Sequence, residues 1–108
     1  MKNITSEELK SRLDAGEKIN LLDVREDDER AEFNIGGIHQ KVGQIQMFDF
    51  GDELENLKEE EIVVYCRSGR RSVTAATIME MAGFQQVTNL DGGMLDWQEK
   101  FGGGNAAK

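Results

Sequence analysis

Ile62-Val63-Val64-Tyr65-Cys66-Arg67-Ser68-Gly69-Arg70-Arg71-Ser72 joins three kinds of sequence without a break. Ile62 to Tyr65 has strand character, and Cys66 is the only cysteine in the chain. A short loop rich in arginine follows, then an apolar helix-forming run from Val73 to Ala82. A strand that ends in a cysteine and turns tightly into a helix has the layout of a nucleophile site. The N–H groups of the loop and the helix N-terminus point at whatever covers the sulfur, and they favour an anion there. With Arg67, Arg70 and Arg71 close by, the same field draws the thiol below its free pKa of about 8.5. Gly69 suits a position that needs positive φ or a close backbone approach. A cysteine at a strand end is otherwise commonly a small buried hydrophobe. The charged Arg67 and the glycine that follow it predict instead a thiol open to solvent.

Working outward, Gly83 ends the helix, Gln86 to Leu90 reads as a strand and Gly93 to Lys100 as a last helix. Met79 and Met81 read as core filling, as do Trp97, Met94, Leu95 and Phe101. Gly92-Gly93 reads as a tight strand-to-helix turn, and residues 102–108, which open Gly-Gly-Gly, as a flexible tail after a single domain at 1–101. Upstream, Thr5-Ser6-Glu7-Glu8 is a capping box, so a helix starts almost at once and stops at Gly16. Ile19 to Val24 is a short apolar run of the kind buried in a parallel sheet. Glu26 to Phe33 is a charged helix with Ala31 and Phe33 turned inward, broken by Gly36-Gly37. From Ile38 to Phe50 neither the helical nor the strand period wins, although Val42, Ile45, Met47 and Phe48 need burial. Asp52 to Leu57 is a short helix, and Glu59-Glu60-Glu61 an exposed turn. Strands and helices alternating in this way predict an α/β domain with a mainly parallel central sheet and helices on both faces. Ligands in such sheets bind beyond the carboxyl ends of the strands, where Cys66 stands.

Composition narrows the function. At 108 residues and 12.1 kDa the chain makes one domain. A single cysteine excludes an internal disulfide and a cysteine-based zinc cluster, and no metal or organic cofactor is called for. The net charge of −8 disfavours nucleic acid. No apolar run has the length of a membrane span and no secretory signal is visible, which predicts a cytoplasmic protein. His39, the only histidine, falls in the unreadable segment and is expected to pack or face solvent rather than act as a base.

Cys66-Arg67-Ser68-Gly69-Arg70-Arg71 resembles the active-site loop of the rhodanese sulfurtransferases, which reads Cys-Arg-x-Gly-x-Arg or Thr. Leu21-Leu22-Asp23-Val24-Arg25 resembles that family's first core strand, and Asn89-Leu90-Asp91-Gly92-Gly93-Met94-Leu95-Asp96-Trp97 its C-terminal signature. The three occur in the family's order. Phe33-Asn34-Ile35-Gly36-Gly37-Ile38 departs from the usual Gly-His-Ile-Pro-Gly-Ala, and Asp91 stands where glutamate is more usual. The resemblance implies a three-layer rhodanese-like domain. It also implies transfer of a sulfane sulfur from thiosulfate or a persulfide donor to a thiophilic acceptor through a persulfide on Cys66.

Arg67, Ser68, Gly69, Arg70, Arg71 and Ser72 would then bind an anionic donor, with at least one arginine left as a solvated face. Asp23 and Arg25 would orient the loop, Asp23 through an ion pair with Arg67. With no second thiol, the acceptor is a small thiol, a cyanide-like nucleophile or another protein. Two other readings stand beside this one. Some rhodanese-like domains are non-catalytic binding modules. Related folds also perform phosphatase or arsenate-reductase chemistry, but with Cys-x5-Arg, one residue longer than the spacing from Cys66 to Arg71, and commonly with histidine where Tyr65 stands.

Overall fold

The computed structural model describes residues 1–102. Its elements in chain order are β1 (Lys2–Ile4), α1 (Ser6–Asp14), β2 (Asn20–Asp23), α2 (Asp27–Glu32), β3 (Ile38–His39) and α3 (Val42–Gln46). They continue as α4 (Gly51–Glu55), β4 (Glu61–Tyr65), α5 (Arg70–Met81), β5 (Gln86–Leu90) and α6 (Gly93–Phe101). The five strands form one sheet in the order β1-β5-β4-β2-β3, and every pairing is parallel.

β4 lies in the middle, covered on both faces, which is why Ile62, Val63 and Val64 run without a polar break. Successive strand side chains point to opposite faces and divide the core in two. Ile62, Val64 and Cys66 join Leu22, Val24, Ile45, Leu54, Ala75, Met79 and Phe84, beneath α3, α4 and α5. Val63 and Tyr65 join Leu21, Leu9, Phe33, Met94 and Trp97, beneath α1 and α6. Each fully buried aliphatic or aromatic side chain in these layers contributes roughly 1.5–3 kcal/mol.

Thr5 caps α1 as the sequence predicts: its Oγ1 accepts from Glu8 N at 3.1 Å, and Glu8 Oε1 accepts from Thr5 N at 2.9 Å. Other expectations are corrected. Lys2–Ile4 and Ile38–His39 are edge strands that the sequence does not announce, being too short to show a period. Ala31 faces solvent while Phe33 is buried. In the unreadable segment Ile45 is buried and Val42 half-buried, whereas Met47 and Phe48 are exposed, Phe48 at φ 57°. Glu61 belongs to β4 and grips Arg12 Nη2 at 2.7 Å, so only the first two glutamates of the triplet form the turn. Met81, Leu95 and Phe101 are exposed, while Met79, Met94 and Trp97 are core. Of the expected tail, Gly102 is exposed and residues 103–108 lie outside the described residues.

Candidate active site

The parallel sheet places Cys66 just past the carboxyl end of its central strand. Gly69, at φ 101°, turns the chain into α5, which starts at Arg70 and not at Val73. Arg70, Arg71 and Ser72 are therefore the first turn of a helix whose free N–H groups point back at the sulfur. Gly69 N donates to Cys66 Sγ at 3.0 Å, and Ser72 Oγ lies 3.3 Å from the same sulfur.

The outer side of the loop is fixed by α6. Met94 N donates to Cys66 O and Leu95 N to Arg67 O, both at 2.9 Å. With the carbonyls drawn outward, the loop N–H groups are left facing in. This close approach explains Gly93: at φ 57°, a Cβ there would lie 2.4 Å from Cys66 O.

Cys66 is 1% exposed, so the expectation of an open thiol is corrected. The loop closes over the sulfur, and its solvent face consists of Arg67, Ser68 and Arg70. Burial pushes the thiol pKa up, but the Ser72 hydroxyl and the N–H groups of Ser72, Gly69 and Ser68 act against it. The net position is below the ordinary value, as the sequence predicts.

The three arginines separate. Arg71 is held in a two-pronged ion pair by Glu29 of α2, Nη1 to Oε1 and Nη2 to Oε2 both at 2.7 Å. That pair holds the Glu29 carboxyl at about 2 and raises the guanidinium further. Arg67 and Arg70 are exposed and have no acidic partner among the described residues. Ser72 is fully buried, and its hydroxyl donates to Asn89 Oδ1 of β5. Glu29 and Asn89 escape the sequence reading. Glu29 is one of several acids in a charged helix, and Asn89 reads only as part of a motif.

Asp23 does not pair with Arg67. It is fully buried and binds Arg25, Nε to Oδ1 at 2.8 Å and Nη2 to Oδ2 at 2.9 Å, with Arg30 Nη1 at 3.5 Å. Residues two apart on extended chain share a face, so Arg25 reaches Asp23 before any loop arginine can. The pair orients a different loop. Arg25 Nη2 donates to Phe33 O at 2.6 Å, Arg30 to Gly36 O at 3.1 Å and Gly37 O at 2.8 Å, and Tyr65 Oη to Gly36 O at 2.8 Å. These bonds shape the connection that lacks the family's histidine and proline. His39 belongs there too, with Nε2 donating to Arg25 O at 2.7 Å, and its described contacts do not reach Cys66.

A hollow of about 630 Å³ among Lys2, Glu7, Arg12 and Glu61 takes no residue from the cysteine loop. A small cleft of about 90 Å³ runs beside Arg67, between Arg25, Glu29, Leu95 and Gln98. No helix among the described residues is long and apolar enough to cross a membrane.

Comparison with known proteins agrees with this geometry. The rhodanese-like domain family model matches residues 5–100. The chain is 41% identical over 99 residues to "Putative sulfurtransferase YtwF" of Bacillus subtilis (strain 168), covering 91% of each chain. It is 34% identical to a "Sulfurtransferase" of Allochromatium vinosum, covering 87% of this chain and 85% of that one. Among solved structures, a rhodanese-like domain protein from Staphylococcus aureus superposes with TM-score 0.76 at 31% identity, over 90% of this chain and 91% of that one. A five-stranded parallel sheet between helical layers, with the cysteine loop at the end of its central strand and relatives matched nearly end to end, makes this chain a member of the rhodanese family.

Proposed function

We propose that this protein is a sulfurtransferase that carries sulfane sulfur as a persulfide on Cys66, with thiosulfate or a related persulfide as donor. The observation that carries the reading is the Cys66 cradle: a sulfur ringed by inward N–H groups at the start of α5, below two arginines with no acidic partner among the described residues. The thiolate attacks the outer sulfur of the donor. The donor's S–S bond breaks, sulfite leaves with the electron pair, and a Cys66 S–S bond forms. An acceptor nucleophile then takes the terminal sulfur and returns the thiolate. The loop N–H groups hold the charge on the terminal sulfur, and their fixed orientation requires little reorganisation. Arg67 and Arg70 attract the anionic end of the donor. Ser68 and Gly69 serve through their backbone, and Arg71 holds the loop against α2 while Ser72 acts on the sulfur. No metal or organic cofactor enters these steps, and residues 1–101 suffice as the working unit.

The names of the relatives support sulfur transfer or sulfur carriage in general; the donor and the persulfide are this proposal's own. Arg71 counts against a phosphatase, because Glu29 occupies the guanidinium that a bound phosphate ester would need. Intact mass after incubation with thiosulfate tests the reading. The chain should gain one sulfur atom, lose it to dithiothreitol, and gain nothing as Cys66→Ser. An unchanged mass with Cys66 still open to alkylation would leave a binding module as the better account.

A further inference from the structure

Cys66 ends a polar chain that runs inward from the exposed Asn3 and that sulfur transfer does not require. Asn3 Oδ1 on β1 accepts from Asn89 Nδ2 on β5 at 3.1 Å. Asn89 Oδ1 accepts from the Ser72 hydroxyl, and Ser72 Oγ lies 3.3 Å from Cys66 Sγ. Asn89 is 2% exposed and Ser72 fully buried. With its Nδ2 donating to Asn3, Asn89 presents its oxygen to Ser72.

A serine hydroxyl has one hydrogen and two acceptor positions. Two acceptors, Asn89 Oδ1 and the sulfur, compete for that hydrogen. While it lies on Asn89, the serine offers the sulfur a lone pair, which suits an S–H donor. When it rotates to the sulfur, it suits a thiolate or a persulfide anion and leaves a buried amide oxygen without a donor. We propose that Asn89 is a positioning residue that restrains ionisation of Cys66 by competing with its sulfur for the Ser72 hydrogen. The resting thiol is thereby kept less reactive than the N–H cradle alone would make it. An anionic terminal sulfur, a stronger claimant, draws the hydrogen across once it arrives.

Other groups around the sulfur do not offer this control. Val24, Ile45 and Ala75 share its core cluster and carry no charge. On α6, Asp96 and Lys100 pair with each other; on the loop and the helix it enters, the charged groups are Arg71 of α5, held by Glu29 of α2, and the exposed Arg67 and Arg70. All of these are untouched by a change at Asn89.

The inference takes Cys66 as the nucleophile proposed above, but its test needs no sulfur donor, so the two can fail separately. The test is a titration of the Cys66 thiolate by its ultraviolet absorbance and by the rate of alkylation with iodoacetamide. Asn89→Leu, with Asn89→Val as a second variant shaped for a strand, removes the competing acceptor. The ionisation midpoint should fall by about one pH unit, the scale of one hydrogen bond to a charged group. Ser72→Ala should raise it, and Ser72→Thr should restore it. In the Ser72→Ala background, Asn89→Leu should then leave the midpoint unchanged. A residue with a purely structural role would change stability and leave the midpoint in place. If either Asn89 variant raises the midpoint or leaves it unmoved while Ser72 is present, or shifts it equally without Ser72, the proposal is overturned.

Discussion

Two buried polar groups flank β4, and they are built in opposite ways. Under the Phe33–Gly37 connection, Asp23, Arg25, Arg30 and Tyr65 satisfy one another and the carbonyls of the connection. At the end of the same strand, the Cys66 loop turns its donors inward on one sulfur and leaves Arg67 and Arg70 without acidic partners among the described residues. In the first group the charge is consumed in holding a shape. In the second it is not consumed in this way. Closeness to β4 and richness in arginine do not distinguish them, and an arginine informs about function only when its partner is known.

The comparison breaks most visibly at Asp23. Asp23→Ala leaves Arg25, whose side chain is 5% exposed, without its counter-charge. We expect a loss of about 3–5 kcal/mol in urea unfolding, with little change in the ionisation of Cys66 in the protein that remains folded. A large shift in the thiol with stability intact would show that the two groups act as one.

A pair of glycine substitutions sharpens the contrast. A Cβ on Gly37, at φ 88°, would meet Leu21 O at 2.2 Å, and one on Gly93, at φ 57°, would meet Cys66 O at 2.4 Å. Each alanine should cost about 2–3 kcal/mol through a left-handed backbone and a clash with main chain. Only Gly93→Ala should also raise the thiol's ionisation midpoint, because it pushes on the backbone that aims the N–H groups. Matching thiol titrations for the two variants would contradict that division.

Glu29 offers a smaller effect with a definite pH window. Its folded pKa of about 2 lies below the ordinary 4.5, so the pair with Arg71 stabilises above about pH 4.5 and fades as pH falls towards 2. Arg71 and Glu29 are 32% and 23% exposed, which screens the pair, and Glu29→Gln should cost about 1–2 kcal/mol at neutral pH. Unfolding curves of the two proteins should converge on acidification. A gap that stays constant down to pH 2 would place the stabilisation somewhere other than the ion pair.

What could be read from the residues alone follows how local the physics is. The strand into Cys66 and the capping box at Thr5 depend on neighbours within a few positions, and they hold as expected. Asp23 goes to Arg25 rather than Arg67 because residues two apart on extended chain share a face, a local cue that the resemblance to the family overrode. Met47 and Phe48 are exposed although their hydrophobicity predicts burial, since Val42, Ile45 and Phe50 already pack against the core on that side. Glu29 and Asn89 are both contributed from other elements, 42 and 17 positions from the residues they bind. Nothing within either segment marks the partner.

The smallest effects belong to the arginines with no acidic partner among the described residues. Arg67 and Arg70 are exposed, so under the proposed function each would draw on a donor anion through solvent-screened attraction, of about 0.2–1 kcal/mol. Arg67→Ala and Arg70→Ala should each raise the KM for thiosulfate by about two- to five-fold at low salt, with kcat nearly unchanged. Because screening shortens the reach of these charges, the penalty should shrink at high ionic strength. Arg71→Ala should behave differently: it frees Glu29 and loosens the loop, so it should lower kcat and stability together. Steady-state kinetics of the three variants at two salt concentrations decides the matter. If Arg71→Ala changes KM alone while Arg67→Ala or Arg70→Ala lowers kcat regardless of salt, the division between a shape-holding arginine and ligand-facing ones is reversed.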